Sequence, residues 1–376
     1  MAFIIAAACV RQGAMNRGKT VLITGAGGCL GSALVEKLAK SSARRLVLFD
    51  HAEHELHEIN VTLSAIEDSA PHVAVLGDIC DAPLLAEMFK EHRPDVIYHA
   101  AAFKHVPMME ANPLAAIRNN VIGTLTLARA ARECQLAQLV MISTDKAVNP
   151  SSVMGVSKRI AELVLLRWNG ITTQMKAVRL SNVLGSRGSV APLFLQQITK
   201  GGPVTVTHPD VSRHFMTLRE AVDVILATVN LEGSVFVSDP GEPVKIIDLA
   251  RGMIRKAGFQ PDVTMQIVFT QLRPGEKLCE EMTFAGETVE PTGDARIQRV
   301  RGAALAADKF DAEMARLIDS AERRDVVALF EALVPIVPEY APSEELLRML
   351  SSSRASAAPE DGIARAAKAG ASSRTL

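Results

Sequence analysis

Thr20-Val21-Leu22-Ile23-Thr24-Gly25-Ala26-Gly27-Gly28-Cys29-Leu30-Gly31 decides the fold. A short apolar and β-branched run, Thr20–Thr24, reads as a strand, and a glycine-rich turn follows at once. Gly25, Gly28 and Gly31 are spaced G-x-x-G-x-x-G and lead into a helical pattern from Leu30 to Lys40. The first glycine turns the chain, the second lets backbone approach a pyrophosphate, and the third lets the helix pack on the strand. The helix N-terminus offers N–H groups and a positive dipole end to an anion. The next strand-like run, Leu46–Phe49, ends at Asp50, about 20 residues after the last glycine, where an acid holds a dinucleotide's adenosine ribose. Such a carboxylate accepts from a 2′-OH and repels a 2′-phosphate, so NAD is expected rather than NADP. Arg44 and Arg45 precede the strand and are poorly placed for a 2′-phosphate.

The same rhythm continues. Val73–Leu76, Val96–Tyr98, Leu139–Ile142 and Met175–Leu180 read as strands, separated by helical patterns at Glu53–Ile66, Asp81–Glu91, Pro113–Cys134 and Ser152–Trp168. Alternation of this kind predicts an α/β fold, a Rossmann-like doubly wound parallel sheet. After Asn182 glycines and prolines punctuate shorter elements, which predicts a smaller, irregular C-terminal lobe over the sheet's C-terminal edge. The expected division is an N-terminal extension (1–18), a dinucleotide-binding domain (19–182), a substrate-binding lobe interleaved with the sheet (183–350) and a disordered tail (351–376), which is rich in Ala, Ser and Gly. Asp78, ending the third strand, is expected at the adenine edge. Ala100 and Ala102 end the fourth with small side chains that let backbone approach the cofactor. Asn120, polar in an apolar helix, is expected at the cofactor, with a structural amide as the alternative.

Composition narrows the classes. The chain has 376 residues, 48% hydrophobic and 22% charged, with a net charge of −1, so no broad surface for nucleic acid or anionic membrane is expected. Cys9, Cys29, Cys80, Cys134 and Cys279 are scattered, which fits free thiols in a reducing, cytoplasmic compartment and argues against structural zinc. Met1–Val10 is apolar but short and lacks a basic start, so it reads as a docked helix or the stub of a linker, not a span. Any membrane association would then come through partners. His51, His54 and His57 recur every three residues, but His54-Glu55-Leu56-His57 is one residue short of H-E-x-x-H, and no metal is expected.

The chemistry points to Ser143-Thr144-Asp145-Lys146-Ala147-Val148-Asn149-Pro150. It follows the strand Leu139–Ile142, so Asp145 and Lys146 sit at a strand's C-terminal end, where open α/β sheets bind ligands. An acid beside an amine suits proton transfer. Lys158 lies on the helix that follows, with Met154 four residues before it.

Together the glycine motif, the Asn120-Val121-Ile122-Gly123-Thr124 run and Lys158 resemble the extended short-chain dehydrogenase/reductase superfamily. His99-Ala100-Ala101-Ala102-Phe103-Lys104-His105-Val106-Pro107, the Ser143–Pro150 run, Arg213-His214-Phe215-Met216-Thr217 and Leu272-Arg273-Pro274-Gly275-Glu276-Lys277 are similar to the bacterial polysaccharide-biosynthesis branch of nucleotide-sugar 4,6-dehydratases, which act on UDP-N-acetylglucosamine. The likeness runs from about Lys19 to Phe284. The superfamily has Tyr where this chain has Met154. That feature resembles the branch's long members, which carry a membrane-spanning N-terminal half, and some of its short ones.

The resemblance implies an internal redox reaction. NAD takes hydride from sugar C4, a base removes the C5 proton, the C6 hydroxyl leaves as water with help from an acid, and hydride returns to C6. C5 inverts in some members. Asp145 is implied as the acid, Lys146 as the C5 base, Thr144 as a hydrogen-bond partner of the C4 oxygen, and Lys158 as a ligand of the nicotinamide ribose. Burial and the nearby Lys158 charge are expected to lower the pKa of Lys146. Met154 leaves the first proton transfer to Asp145, or to a water relayed through Thr144. Lys104, Asn182, Arg213, Arg273 and Glu276 are implied as substrate contacts on a UDP-sugar, the arginines at its phosphates. A homo-oligomer is implied, with residues 53–63 as a candidate interface. The runner-up is a 4-epimerase of the same nucleotide sugar, which needs no acid–base pair at C5 and C6. A third reading is a non-catalytic NAD-sensing regulator.

Overall fold

Strands with apolar residues on both faces demand cover on both faces, and a parallel sheet flanked by helices supplies it. The computed structural model describes residues 16–186, 188–302 and 307–357. Its strands β1 (Thr20–Thr24), β2 (Arg45–Asp50), β3 (His72–Leu76), β4 (Val96–His99), β5 (Gln138–Thr144) and β6 (Gln174–Leu180) match the strands expected from sequence to within two residues at each end. They lie parallel in the order β3-β2-β1-β4-β5-β6. Strand Val235–Ser238 adds parallel to β6, and Ile297–Arg301 and Thr288–Pro291 extend the sheet antiparallel. The order reverses between β1 and β4, so the crevice for a ligand opens at their C-terminal ends.

Helices α1 (Cys29–Ala39), α2 (Glu53–Ser64), α3 (Ala82–His92), α4 (Val106–Ala111), α5 (Pro113–Ala116), α6 (Gly123–Glu133) and α7 (Val153–Trp168) connect the strands. Side chains alternate faces along β1. Val21 and Ile23 pack with Leu34 and Val35 of α1 and Leu56 of α2, whereas Leu22 packs with Leu85 of α3 and Val164 of α7. The helix expected over Pro113–Cys134 forms, with a π-helical segment, Ile117–Ile122, between α5 and α6. Its extra residue per turn moves Asn119 and Asn120 relative to a regular helix, a distortion common near functional sites.

The second lobe has its own small core, in which Phe194, Ile198, Val204, Ile246, Ile254 and Met265 are buried. Each such side chain contributes about 1.5–3 kcal/mol on burial. The chain then returns. Phe310, Leu317, Leu329 and Leu333, from helices Ala307–Glu322 and Val326–Ile336, join the core on the side of α5 and the π segment. These helices therefore cover the dinucleotide half, not the substrate lobe to which the sequence reading gave them. Helix Glu344–Ala357 runs into the segment expected to be a disordered tail. Residues 358–376 and the apolar Met1–Val10 lie outside the described residues. Among the described residues no helix is long and apolar enough to cross a membrane.

At the crevice floor His99 is 1% exposed. Its Nδ1 lies 2.7 Å from Thr24 Oγ1 and its Nε2 2.9 Å from Thr124 Oγ1, which ties β1, β4 and α6 together. Burial, reinforced by the Lys158 charge, lowers its pKa to about 3 from the ordinary 6.5. The folded state thus binds this proton less readily than the unfolded state. His99's contribution to stability is full above about pH 6.5 and declines as pH falls toward 3. The slope in that window is up to about 1.4 kcal/mol per pH unit. Urea unfolding at pH 7 and pH 5 is expected to show a larger loss for the native chain than for His99→Asn.

Candidate active site

The glycine turn is built for close approach. Gly25 has φ +69°, and a Cβ on Gly31 would lie 1.8 Å from the Gly25 carbonyl oxygen. Only glycine lets α1 start hard against β1. Gly28 is the N-cap of α1 and supplies no side-chain cap, and no acid sits in the first turn. The helix's first N–H groups therefore face the crevice without a side-chain acceptor and suit a pyrophosphate. The expected ribose acid, Asp50, is buried. Its Oδ2 accepts from Gly27 N at 2.9 Å and its Oδ1 from Ala52 N at 3.0 Å. It thus braces the glycine turn from the end of β2, with acceptor capacity left on both oxygens for a ribose hydroxyl. These features fit a dinucleotide.

Asp78 ends β3 beside that region, accepts from Cys80 N at 2.9 Å and lies 3.8 Å from Arg118. Asn120 is a correction. Its Oδ1 accepts from Phe103 N at 2.8 Å and Asn119 Nδ2 at 2.9 Å, and its Nδ2 donates to Phe103 O at 3.0 Å and Ser157 Oγ at 2.9 Å. The amide is fully used in clamping the loop after β4 onto α7, so it serves the site's framework and not the cofactor.

Gly28, Gly31, Ala100 and Ala102 line one end of a cavity of about 680 Å³. Thr144, Lys146, Met154, Lys158, Lys104 and Asn182 line the rest. Thr144 Oγ1 donates to Asp145 Oδ1 at 2.8 Å, and Lys146 Nζ donates to the same oxygen at 2.9 Å. Asp145 itself is 1% exposed. Asn182, a candidate substrate contact, lines the cavity beside this cluster: its Oδ1 accepts from Lys146 Nζ at 3.1 Å and its Nδ2 donates to His214 O at 3.2 Å.

The expected fall in the Lys146 pKa is overturned. Burial does lower it, but the Asp145 and Glu280 carboxylates outweigh burial and the net shift is upward. Lys146 rests as an ammonium. Lys158, buried on α7 with only Glu162 to compensate, is lowered to about 8, chiefly by desolvation. Burial also lowers the pKa of Lys104. Met154 is 4% exposed and lines the cavity one helical turn from Lys158.

The remaining substrate candidates divide. A smaller pocket of about 220 Å³ shares Asn182, Val183 and Ser186 with the main cavity and reaches Arg273 and Glu276. Arg273 is exposed there. Arg213 Nη1 donates to Ser212 O and Leu278 O, and its Nη2 to Lys277 O at 2.9 Å. Those bonds hold the 276–278 loop, and Arg213 lines the small pocket with its Nη donors already engaged. Glu276 accepts from Thr207 Oγ1 at 3.0 Å and from Arg273 N at 3.1 Å.

Two features escaped the sequence. Glu280 Oε1 lies 3.7 Å from Lys146 Nζ. Its only sequence signal is its place just beyond the Leu272–Lys277 run. Beneath the cluster, Arg179 is fully buried between Glu162 and Glu287, with Nη2 2.9 Å from Glu162 Oε2 and Nη1 2.6 Å from Glu287 Oε2. Ser143 Oγ adds a 2.6 Å bond to Glu162. Of the histidine trio, His54 Nε2 lies 3.6 Å from Glu58 Oε1 and His51 meets the edge of Phe103. Among the described residues no group of three or more His, Cys, Asp or Glu side chains could hold a metal ion.

A family model described as polysaccharide biosynthesis protein matches residues 21–301. The capsular polysaccharide biosynthesis protein CapD of Staphylococcus aureus is 48% identical over 274 residues, 72% of this chain and 46% of that protein. The probable polysaccharide biosynthesis protein EpsC of Bacillus subtilis is 44% identical over 277 residues, again 72% and 46%. The chain thus spans about half the length of these curated relatives. Among solved structures, Pen from Bacillus thuringiensis superposes with a TM-score of 0.66 at 27% identity, over 71% of this chain and 83% of that one. DesIV of Streptomyces venezuelae, a dTDP-glucose 4,6-dehydratase solved with NAD and TYD bound, gives 0.61 at 21% identity over 70% and 88%, a likeness of fold. The chain belongs to the polysaccharide biosynthesis protein family, built on the extended short-chain dehydrogenase/reductase fold and related to the bacterial nucleotide-sugar epimerases and dehydratases.

Proposed function

We propose that the chain is an NAD-dependent nucleotide-sugar 4,6-dehydratase acting on UDP-N-acetylglucosamine or a close relative, in surface polysaccharide biosynthesis. One observation carries the reading: Thr144 and Lys146, both hydrogen-bonded to the buried Asp145, line the same cavity as the glycine turn. A bound nicotinamide supplies a reversible hydride acceptor between C4 and C6. The rest is proton traffic. Met154 cannot take the C4 hydroxyl proton. Thr144 can, by passing its own proton to Asp145 Oδ1, 2.8 Å away. Asp145, now protonated, returns its proton to Thr144 Oγ1, which hands its own to the departing C6 oxygen. The proton lost at O4 therefore leaves in the water formed at C6. Lys146 removes the C5 proton and returns one to the same face, which retains C5; inversion requires a donor on the opposite face. Lys158 and Lys104 both line the cavity and would lend it positive potential.

A 4-epimerase is the second reading, and the similarity to proteins named UDP-glucose 4-epimerase in Rickettsia, at 30–32% identity, favours it. Epimerisation leaves Asp145–Lys146 without work at C5 and C6. Mass spectrometry after incubation with UDP-N-acetylglucosamine and NAD separates the two: the dehydratase product is lighter by one water, and the epimerase product has unchanged mass.

A further inference from the structure

As an ammonium, Lys146 cannot act as the C5 base until its proton has somewhere to go. Asp145 is not available for it. Its Oδ1 already accepts from Thr144 and Lys146, and its oxygens are needed for the proton moving from O4 to O6. The other carboxylate in reach is Glu280. It is 9% exposed, with Oε1 3.7 Å from Lys146 Nζ and 3.8 Å between Oε2 and Lys277 Nζ. Oε2 is buried with no hydrogen-bond partner among the described residues, and Oε1 faces Lys146 at ion-pair distance, so the carboxylate can take a proton once a small side-chain movement closes Nζ and Oε1 to hydrogen-bond distance.

This carboxylate is held in place by the buried ion network. Arg179 Nη1 donates to Met282 O at 3.0 Å and to Glu287, and Phe284 N donates to Glu287 Oε2 at 3.0 Å. The Phe284 ring covers the guanidinium groups of Arg159 and Arg179. The loop that presents Glu280 is thereby fixed to β6 and α7.

We propose that Glu280 is a positioning residue that accepts a proton from Lys146 and so releases the neutral amine that attacks the C5 proton. The proposal rests on the dehydratase reading of the site. In the step an N–H bond of Lys146 breaks and an O–H bond of Glu280 forms, and the positive and negative charges vanish together. A sugar filling the cavity excludes water and favours the neutral pair, because separated charges cost more in a low dielectric. Lys146 becomes an ammonium when it takes the C5 proton, gives a proton back to C5, and recovers its original proton from Glu280. The charges facing Lys146 are Asp145 from its own turn, Glu280 from the loop and the opposing Arg213. Lys277 and Glu281 stand beyond Glu280.

The test compares Glu280→Gln with Glu280→Asp in the NAD-loaded protein, on variants that melt with the native chain. If Glu280→Gln does not fold, Glu280→Ala replaces it. Gln keeps the shape and loses the proton site, whereas Asp keeps the carboxylate and loses reach. Glu280→Gln is expected to lower kcat by about 10²-fold or more with KM little changed, and Glu280→Asp to retain more of it. A packing role reverses that order and overturns the proposal. A second readout needs no turnover. In lysine-labelled protein, with the signal assigned by Lys146→Arg, the ammonium-to-amine midpoint of Lys146 should fall in Glu280→Gln, and an unmoved midpoint also overturns the proposal. Native protein that forms no 6-deoxy sugar would refute the dehydratase reading, while this titration still decides whether Glu280 and Lys146 share a proton.

Discussion

Asp145→Asn is expected to abolish formation of the 4-keto-6-deoxy sugar, with kcat reduced by about 10²–10⁴-fold and the fold intact. The amide keeps the volume of the carboxyl and can still accept from Thr144 and Lys146, so the cluster keeps its geometry. It cannot take up a proton. Both steps routed through Asp145, uptake from O4 and delivery to O6, stop together. KM should move little, since Asp145 is buried behind Thr144 and Lys146 and does not line the cavity. Removing the carboxylate also takes away a stabilising neighbour of the Lys146 ammonium. Steady-state kinetics with thermal melting checks this: a variant that melts normally and turns over at the native rate contradicts the role of Asp145.

The second large effect falls on stability. Arg179→Leu leaves Glu287 in the interior without its cation and Glu162 with Arg159 alone. Breaking a buried pair from one side costs about 3–5 kcal/mol, because the partner's charge remains desolvated. The shift should appear in the urea midpoint, and Glu162→Gln in the same chain should recover part of it. The network has a pH signature too. Burial raises the Glu162 pKa, but Arg179, Arg159 and Ser143 outweigh it and hold it at about 2. Folded Glu162 thus binds its proton less readily than the unfolded chain. Its contribution is complete above about pH 4.5 and is lost as pH falls toward 2. Activity should fall along with stability, since Arg179 also holds the Met282 carbonyl in the loop that carries Glu280.

Local pattern made the sheet legible. Strand runs, glycine turn and helix starts are short-range features, and β1 to β6 follow them closely. Thr144, Asp145 and Lys146 could be placed because a strand end fixes where its next residues point. What stayed hidden depends on distant partners. Arg179 meets Glu287 from 108 positions away, and nothing around either residue marks the pair. Glu280 reaches Lys146 only because the lobe folds back over the sheet's edge. That Asn120 takes its structural alternative depends on Phe103 and Ser157, and the carbonyls that occupy Arg213 come from residues 277 and 278, none of them near in sequence. The Lys146 pKa failed for the same reason: its sign is set by Glu280 as well as Asp145, and only the folded chain brings that second carboxylate near.

Proton NMR of the purified protein with UDP-N-acetylglucosamine and NAD in D2O tests the central claim most directly. A new C6 methyl signal with deuterium at C5 is expected, and the ring couplings then report whether C5 inverted. A product that keeps its C6 hydroxymethyl group and its C5 proton, with only C4 inverted, would contradict the account and make the chain a 4-epimerase.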